Sequence, residues 1–148
     1  MYLKNIINVL FFLLLVSPVL FAQAQVKQLE SPAQALTLSD KVMDDAMRGK
    51  YRHAFERFRP HWSLKPEELE LAIKKIQEGI KLLNKRFGKP IGYQLMKTQK
   101  ARDFLVRYIY VMKYDRALVR WKFTYYKPHN HWIVLSVTFD DGYVEFLE

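Results

Sequence analysis

The hydrophobic period changes partway along this chain, and that change limits the available folds more than any other feature. From Ser31 to about Phe87, apolar residues recur every three or four positions, as on one face of a helix. From Ile91 to Phe146 the pattern is strand-like, with apolar and polar residues alternating. Runs of helices followed by runs of strands predict an α+β domain. Three N-terminal helices would pack on one face of a curved antiparallel sheet of four to five strands. The 148 residues supply one such domain, expected over 31–148.

Each helix carries its own start and stop signals. Ser31, Pro32 and Gln34 form an N-terminal cap, and Gly49 suits the left-handed residue that ends a helix. Ala35, Leu38, Val42 and Ala46 form the first stripe, with Asp40, Asp44 and Asp45 beside it. Tyr51, Ala54, Phe55 and Phe58 form a second, shorter face that Pro60 closes. Pro66 opens the third helix, whose stripe runs Leu69, Ile73, Ile76, Ile80, Leu83, Phe87. Its acidic residues come first and its basic residues last, opposing the helix dipole at both ends.

Three alternating runs follow, with a hairpin-length connection near Lys100 ahead of the first and others at Asp115-Arg116 and Pro128–Asn130 between them. Phe104, Val106, Tyr108, Tyr110 and Met112 share one face of the first run; Val119, Trp121, Phe123 and Tyr125 share one face of the next. Strict alternation after Trp132 groups Ile133, Leu135, Val137 and Phe139. Asp141-Gly142 predicts a turn before a last short strand, Tyr143 to Leu147.

The first 24 residues read as a secretory signal peptide. Lys4 is their only charge, an apolar run spans Val9 to Val16, and Ala22-Gln23-Ala24 offers a cleavage site before Gln25. Asn8 and Pro18 bound a stretch shorter than the roughly 20 apolar residues of a spanning helix, so no stable membrane anchor is expected after cleavage. A retained anchor is the alternative. Residues 25–30 read as a flexible tether. The expected compartment is periplasmic or extracellular.

Chemistry is bounded by what is missing. With no cysteine, disulfides, thiolate metal sites and thiol nucleophiles are excluded. The five glycines form no phosphate loop, and no cofactor motif is present. The formal charge is +9, but the basic residues are scattered, so the charge reads as solubilising. Export argues against nucleic acid as a partner.

Aromatic residues are concentrated in the strands. There are 13 from Tyr93 onward and 5 in residues 25–90. That surplus predicts a sheet that also covers a ligand pocket or packs on a second copy. Tyr108, Tyr110, Trp121 and Tyr125 are the candidate pocket lining, each with ordinary core packing as its alternative. His53 joins them as a general base if Asp44 or Asp45 orients it. Arg107, Arg120 and Lys122 occupy the opposite face as a candidate anion patch, against the alternative of a solvated surface. His129-Asn130-His131 is read as a polar loop. A metal site there would need further ligands, and Asp140 lies about 30 Å along a straight strand. His61, between Pro60 and Trp62, reads as a loop residue packed on an aromatic ring.

Several segments together carry a family resemblance. They are Met47-Arg48-Gly49-Lys50-Tyr51 running into Ala54-Phe55, and Phe87-Gly88-Lys89-Pro90 before the first strand. Val119–Phe123, His131–Leu135 and Val137–Val144 with its Asp-Gly turn complete them. In this order the chain resembles the nuclear-transport-factor-2-like superfamily, the cone-shaped, cystatin-like α+β fold, and most of all its small exported bacterial members. The resemblance implies a cone-like domain and no particular activity.

The expectation is therefore an exported binding or interaction protein, holding a small apolar ligand or an envelope component and able to form a homodimer through its sheet. One rival is a small isomerase, dehydratase or hydrolase using His53, an Asp and a pocket Tyr. The other is an envelope polyanion binder acting through Arg107, Arg120 and Lys122.

Overall fold

The computed structural model describes residues 28–147, so the expected leader at 1–24 lies outside the described residues. Helix α1 spans Pro32–Met47, α2 spans Tyr51–Glu56 and α3 spans Pro66–Phe87. A 3-10 turn, Arg59–His61, lies between α2 and α3. Strands β1 (Pro90–Ala101), β2 (Leu105–Tyr114), β3 (Ala117–Tyr126) and β4 (Ile133–Asp140) follow. They form one antiparallel sheet in chain order, so the molecule is α+β with its helices first.

The helix ends obey local chemistry. Ser31 Oγ accepts from the Gln34 N–H at 3.3 Å, and Gln34 Oε1 accepts from the Glu30 N–H at 2.7 Å. Gly49 and Gly88 adopt φ of +74° and +87°, the left-handed conformation that glycine enters without strain. Every member of the α3 stripe reaches the core cluster. Within the stretch expected as a tether, Leu29 is buried, and its carbonyl accepts from the Trp132 N–H at 2.7 Å.

The sheet's inner face is a set of cross-strand rows: Tyr93/Met112/Val119, Leu95/Tyr110/Trp121/Phe139, Thr98/Tyr108/Phe123/Val137 and Lys100/Val106/Tyr125/Val134. Phe55 and Phe58 of the helical layer meet Trp121 and Phe123, with ring centroids 6.2 and 5.6 Å apart. Burying rings of this size supplies much of the driving force for closure.

Two expectations for the last strands are corrected. The extra residue Leu135 makes a bulge opposite Thr124/Tyr125, which resets the alternation. Val134, Val137 and Phe139 therefore sit in the inner rows, while Leu135 is 52% exposed. Tyr143–Phe146 forms a 3-10 turn in place of a fifth strand. Asp140 Oδ1 accepts from the Gly142 N–H at 2.9 Å and turns the chain there, ending the pairing with β3.

Candidate functional site: a cleft at the end of the third helix

Topology brings distant residues to one end of the molecule. Helix α3 delivers its C-terminus to the start of β1, and β2 returns antiparallel, so Tyr114 stands opposite Pro90. The β2–β3 turn and the end of β4 arrive at the same place, with Arg120 opposite Asp140. Between them lies a cleft of about 420 Å³ lined by Leu83, Arg86, Phe87, Arg116, Ala117, Leu118, Val119, Phe139, Asp140 and Asp141. Its floor is apolar and its rim is charged, the combination that small-molecule sites favour.

The rim charges are not equivalent. Asp140 is already satisfied: Arg120 Nε and a second guanidinium nitrogen donate to it at 2.7 and 3.0 Å, and Lys122 Nζ lies at 2.7 Å. The Arg120 hydrogen bonds chiefly, helped by Lys122 and the Gly142 N–H against some burial, hold its carboxyl well below the usual range. Arg86 and Arg116 differ. The Arg86 guanidinium lies 4.9 Å from the Phe87 ring centroid. Arg116 donates to the Arg86 carbonyl at 3.2 Å, capping the last turn of α3. Among the described residues neither is ion-paired with a carboxylate. The cleft thus presents two arginines and Asp141 above a hydrophobic floor.

Behind the floor, the Trp121 ring lies 5.3 Å from Phe139 and is wholly buried, and among the described residues its Nε1 has no hydrogen-bond partner. Phe139 reaches across to Gly79 of α3, where a Cβ would sit 3.3 Å from the ring, so a larger residue there would crowd it.

The residues singled out from the sequence fall elsewhere. Tyr108, Tyr110, Trp121 and Tyr125 are each at most 3% exposed and belong to the core; none lines this cleft. Three of them reach α1 instead. Tyr108 Oη donates to the Pro32 carbonyl at 2.5 Å and Tyr110 Oη to Asp40 at 2.6 Å, while Tyr125 Oη lies 2.7 Å from Ser39 Oγ. Tyr93 Oη adds a fourth link, to Asp44 at 2.7 Å. Burial and the nearby carboxylates push Tyr93 up to about 12, and burial pushes Tyr108, Tyr110 and Tyr125 upward too.

His53 does meet a carboxylate: its Nδ1 lies 2.9 Å from Asp45 Oδ2. The Asp45 side chain is buried, whereas that of His53 is 61% exposed. Arg57 Nε donates to the same oxygen at 2.6 Å. Burial raises the Asp45 pKa, but Arg57 and then His53 outweigh it and hold the carboxylate low. The arrangement ties α1 to α2, and its imidazole lines none of the clefts described here. His61, beside α1, lines a separate groove, and burial lowers its pKa.

Arg107, Arg120 and Lys122 share the outer face of the sheet. Arg107 stands opposite Thr124, however, and Arg120 opposite Val111, so the two arginines are not side by side. Arg107 Nε donates to Thr124 Oγ1 at 2.9 Å. Arg120 and Lys122 converge on Asp140, which cancels part of their charge. Among the described residues no three His, Asp or Glu side chains converge on a point where a metal would sit.

Sequence reasoning missed Arg86, Arg116 and Phe139 as neighbours. The signal was present in the element order: a helix end and the second hairpin turn after it must share one end of an antiparallel meander. Comparison of the chain with protein-family models, with curated proteins and with solved structures returned no match.

Proposed function

We propose that this protein is a binding module of the cell envelope or exterior, exported by its leader, which takes a small apolar ligand bearing an anionic group into the cleft at the end of α3. The observation that carries the reading is the pair Arg86 and Arg116, in no ion pair among the described residues, beside the apolar lining Leu83, Phe87, Val119 and Phe139. An anionic group desolvated beside two guanidiniums gains charge-assisted hydrogen bonds, while the floor takes the apolar body. The element order supports the likeness to the nuclear-transport-factor-2-like superfamily, and the bulges at Met96 and Leu135 support a curved sheet. Catalysis by His53 is less favoured, because its ring is largely exposed and a general base works best in an enclosed site.

The test uses the dye 1-anilinonaphthalene-8-sulfonate, an apolar body with one anionic group, and its uncharged relative N-phenyl-1-naphthylamine. The full chain is expected to bind the sulfonate dye saturably at one site. Changing Arg86→Gln and Arg116→Gln together should weaken the sulfonate dye by about tenfold or more, the worth of one charge-assisted hydrogen bond, and spare the uncharged dye. Ala117→Trp, which fills the cleft from its rim, should abolish both. Saturable binding that survives Ala117→Trp in a folded protein overturns the proposal.

A further inference from the structure

The opposite end of the molecule carries a second charged cleft. The β1–β2 hairpin turn, the loop after β3 and the N-terminus of α1 meet there. A space of about 250 Å³ is lined by Glu30, Pro32, Lys100, Arg102, Asp103, Leu105, Val106, Lys127 and Trp132. Among the described residues Lys100, Arg102 and Lys127 are in no ion pair, although Glu30 and Asp103 share the same walls.

Two further observations concern the same turn. Arg102 has φ of +57°, and among the described residues it is the one non-glycine with a positive φ. A long cationic side chain is thus held at a tip position where glycine or asparagine would cost less, and backbone strain of this kind gathers at functional sites. Next to it Phe104 is 43% exposed; its ring meets Tyr126 edge-on at 6.3 Å, and its carbonyl accepts from the Lys127 N–H at 2.8 Å. Among the described residues three cations without ion pairs therefore line the cleft, and Phe104, outside that lining on the Tyr126 side of the same hairpin end, is left partly in water.

The chain also enters the fold here, since Glu30 lines the cleft and Leu29 bridges to Trp132. A dissolved anion would use the cations and leave Phe104 idle. A bilayer uses both, headgroups meeting the cations and the ring entering the interfacial layer.

We infer that this end of the molecule docks onto anionic lipid, with Lys100, Arg102 and Lys127 receiving phosphate-bearing headgroups and Phe104 inserting beside them. It is separate from the cleft at the end of α3, and either assignment stands without the other.

Flotation of the full chain with two kinds of vesicle tests it: phosphatidylcholine alone, and phosphatidylcholine with phosphatidylglycerol. Any contribution of residues 1–27 to the neutral membrane is common to wild type and variants, so the gain on adding phosphatidylglycerol is the quantity read. That gain should be large in low salt and shrink in high salt. Lys100→Gln, Arg102→Gln and Lys127→Gln combined should remove it. The same charge change on the outer side of α3, at Lys74, Lys75 and Lys81, should leave most of it. Phe104→Ser should lower binding while preserving its salt dependence. Arg102→Gly relieves the backbone while deleting a cation, so it should raise Tm and lower the gain together, which separates lost binding from lost folding. The inference is overturned if the α3 variant loses as much as the cleft variant, if the cleft variant keeps the gain, or if soluble glycerol phosphate at matched phosphate displaces the protein from vesicles.

Discussion

Four tyrosine hydroxyls join the sheet to α1, and they account for polar residues that look misplaced on a helix facing a core. Ser39 is fully buried because Tyr125 partners it, and its Oγ also donates to the Ala35 carbonyl at 3.0 Å. Asp40 and Asp44 receive Tyr110 and Tyr93 at the edge of the same interface. Burial, and for Tyr93 and Tyr110 the adjacent carboxylates, disfavour the phenolates, so these groups keep their protons in the folded state well above pH 10. The unfolded chain releases them near pH 10. Above that pH the folded state binds more protons than the unfolded one, so stability is complete below about pH 10 and falls as pH rises toward the folded values. Urea unfolding from pH 9 to 11.5 is expected to show this fall. Tyr110→Phe should lose up to about 1.4 kcal/mol less per pH unit in that window, one titrating group's share. An unchanged slope would show that Tyr110 is not one of the groups responsible.

Among the elements, the helices were the most legible in the sequence, because the α3 stripe, Pro66 and Gly88 all point to the same ends. The β2 and β3 alternations were equally plain, and the structure keeps their faces apart from Phe104, which precedes β2, packs on Tyr126 and is exposed. The phase of β4 was not legible. A bulge adds one residue without any composition signal, and Leu135 looks like a core residue until its strand is paired. Ile91, Met96 and Leu135 each stand at a register irregularity and each is substantially exposed, at 59%, 45% and 52%. Since β1 and β4 are the sheet's two edges, these irregularities disrupt the flat ladders that other chains would extend. The bulge makes a sharp prediction. Leu135→Ser should change stability by less than about 0.5 kcal/mol, as for an ordinary surface site. Deleting Leu135 forces either Val134 or the Val137/Phe139 pair outward, and should cost at least about 1.5–3 kcal/mol, the burial of one large apolar side chain. Equal unfolding midpoints for the two variants would count against this account of the strand. The candidate cleft was illegible for a related reason: its parts lie as far apart as Leu83 and Asp141, and only pairing register sets them together.

At the scale of the molecule, order in sequence and order in space coincide. The sheet runs β1-β2-β3-β4 with no crossover, and the helical layer precedes it entirely. The rings that cover α2 and α3 come from the last third of the chain: Trp121, Phe123 and finally Phe139. During synthesis α1 can meet β1 and β2 early, whereas α3 lacks its Phe139 cover until the ribosome has nearly finished. On that order the last strand to be made is also the one that seals the third helix, so closure of the helical layer falls to the end of synthesis. Protease digestion of ribosome-bound chains should find α3 cleavable while β4 is still inside the exit tunnel and protected once β4 has emerged; early protection would mean that the helical layer closes on itself.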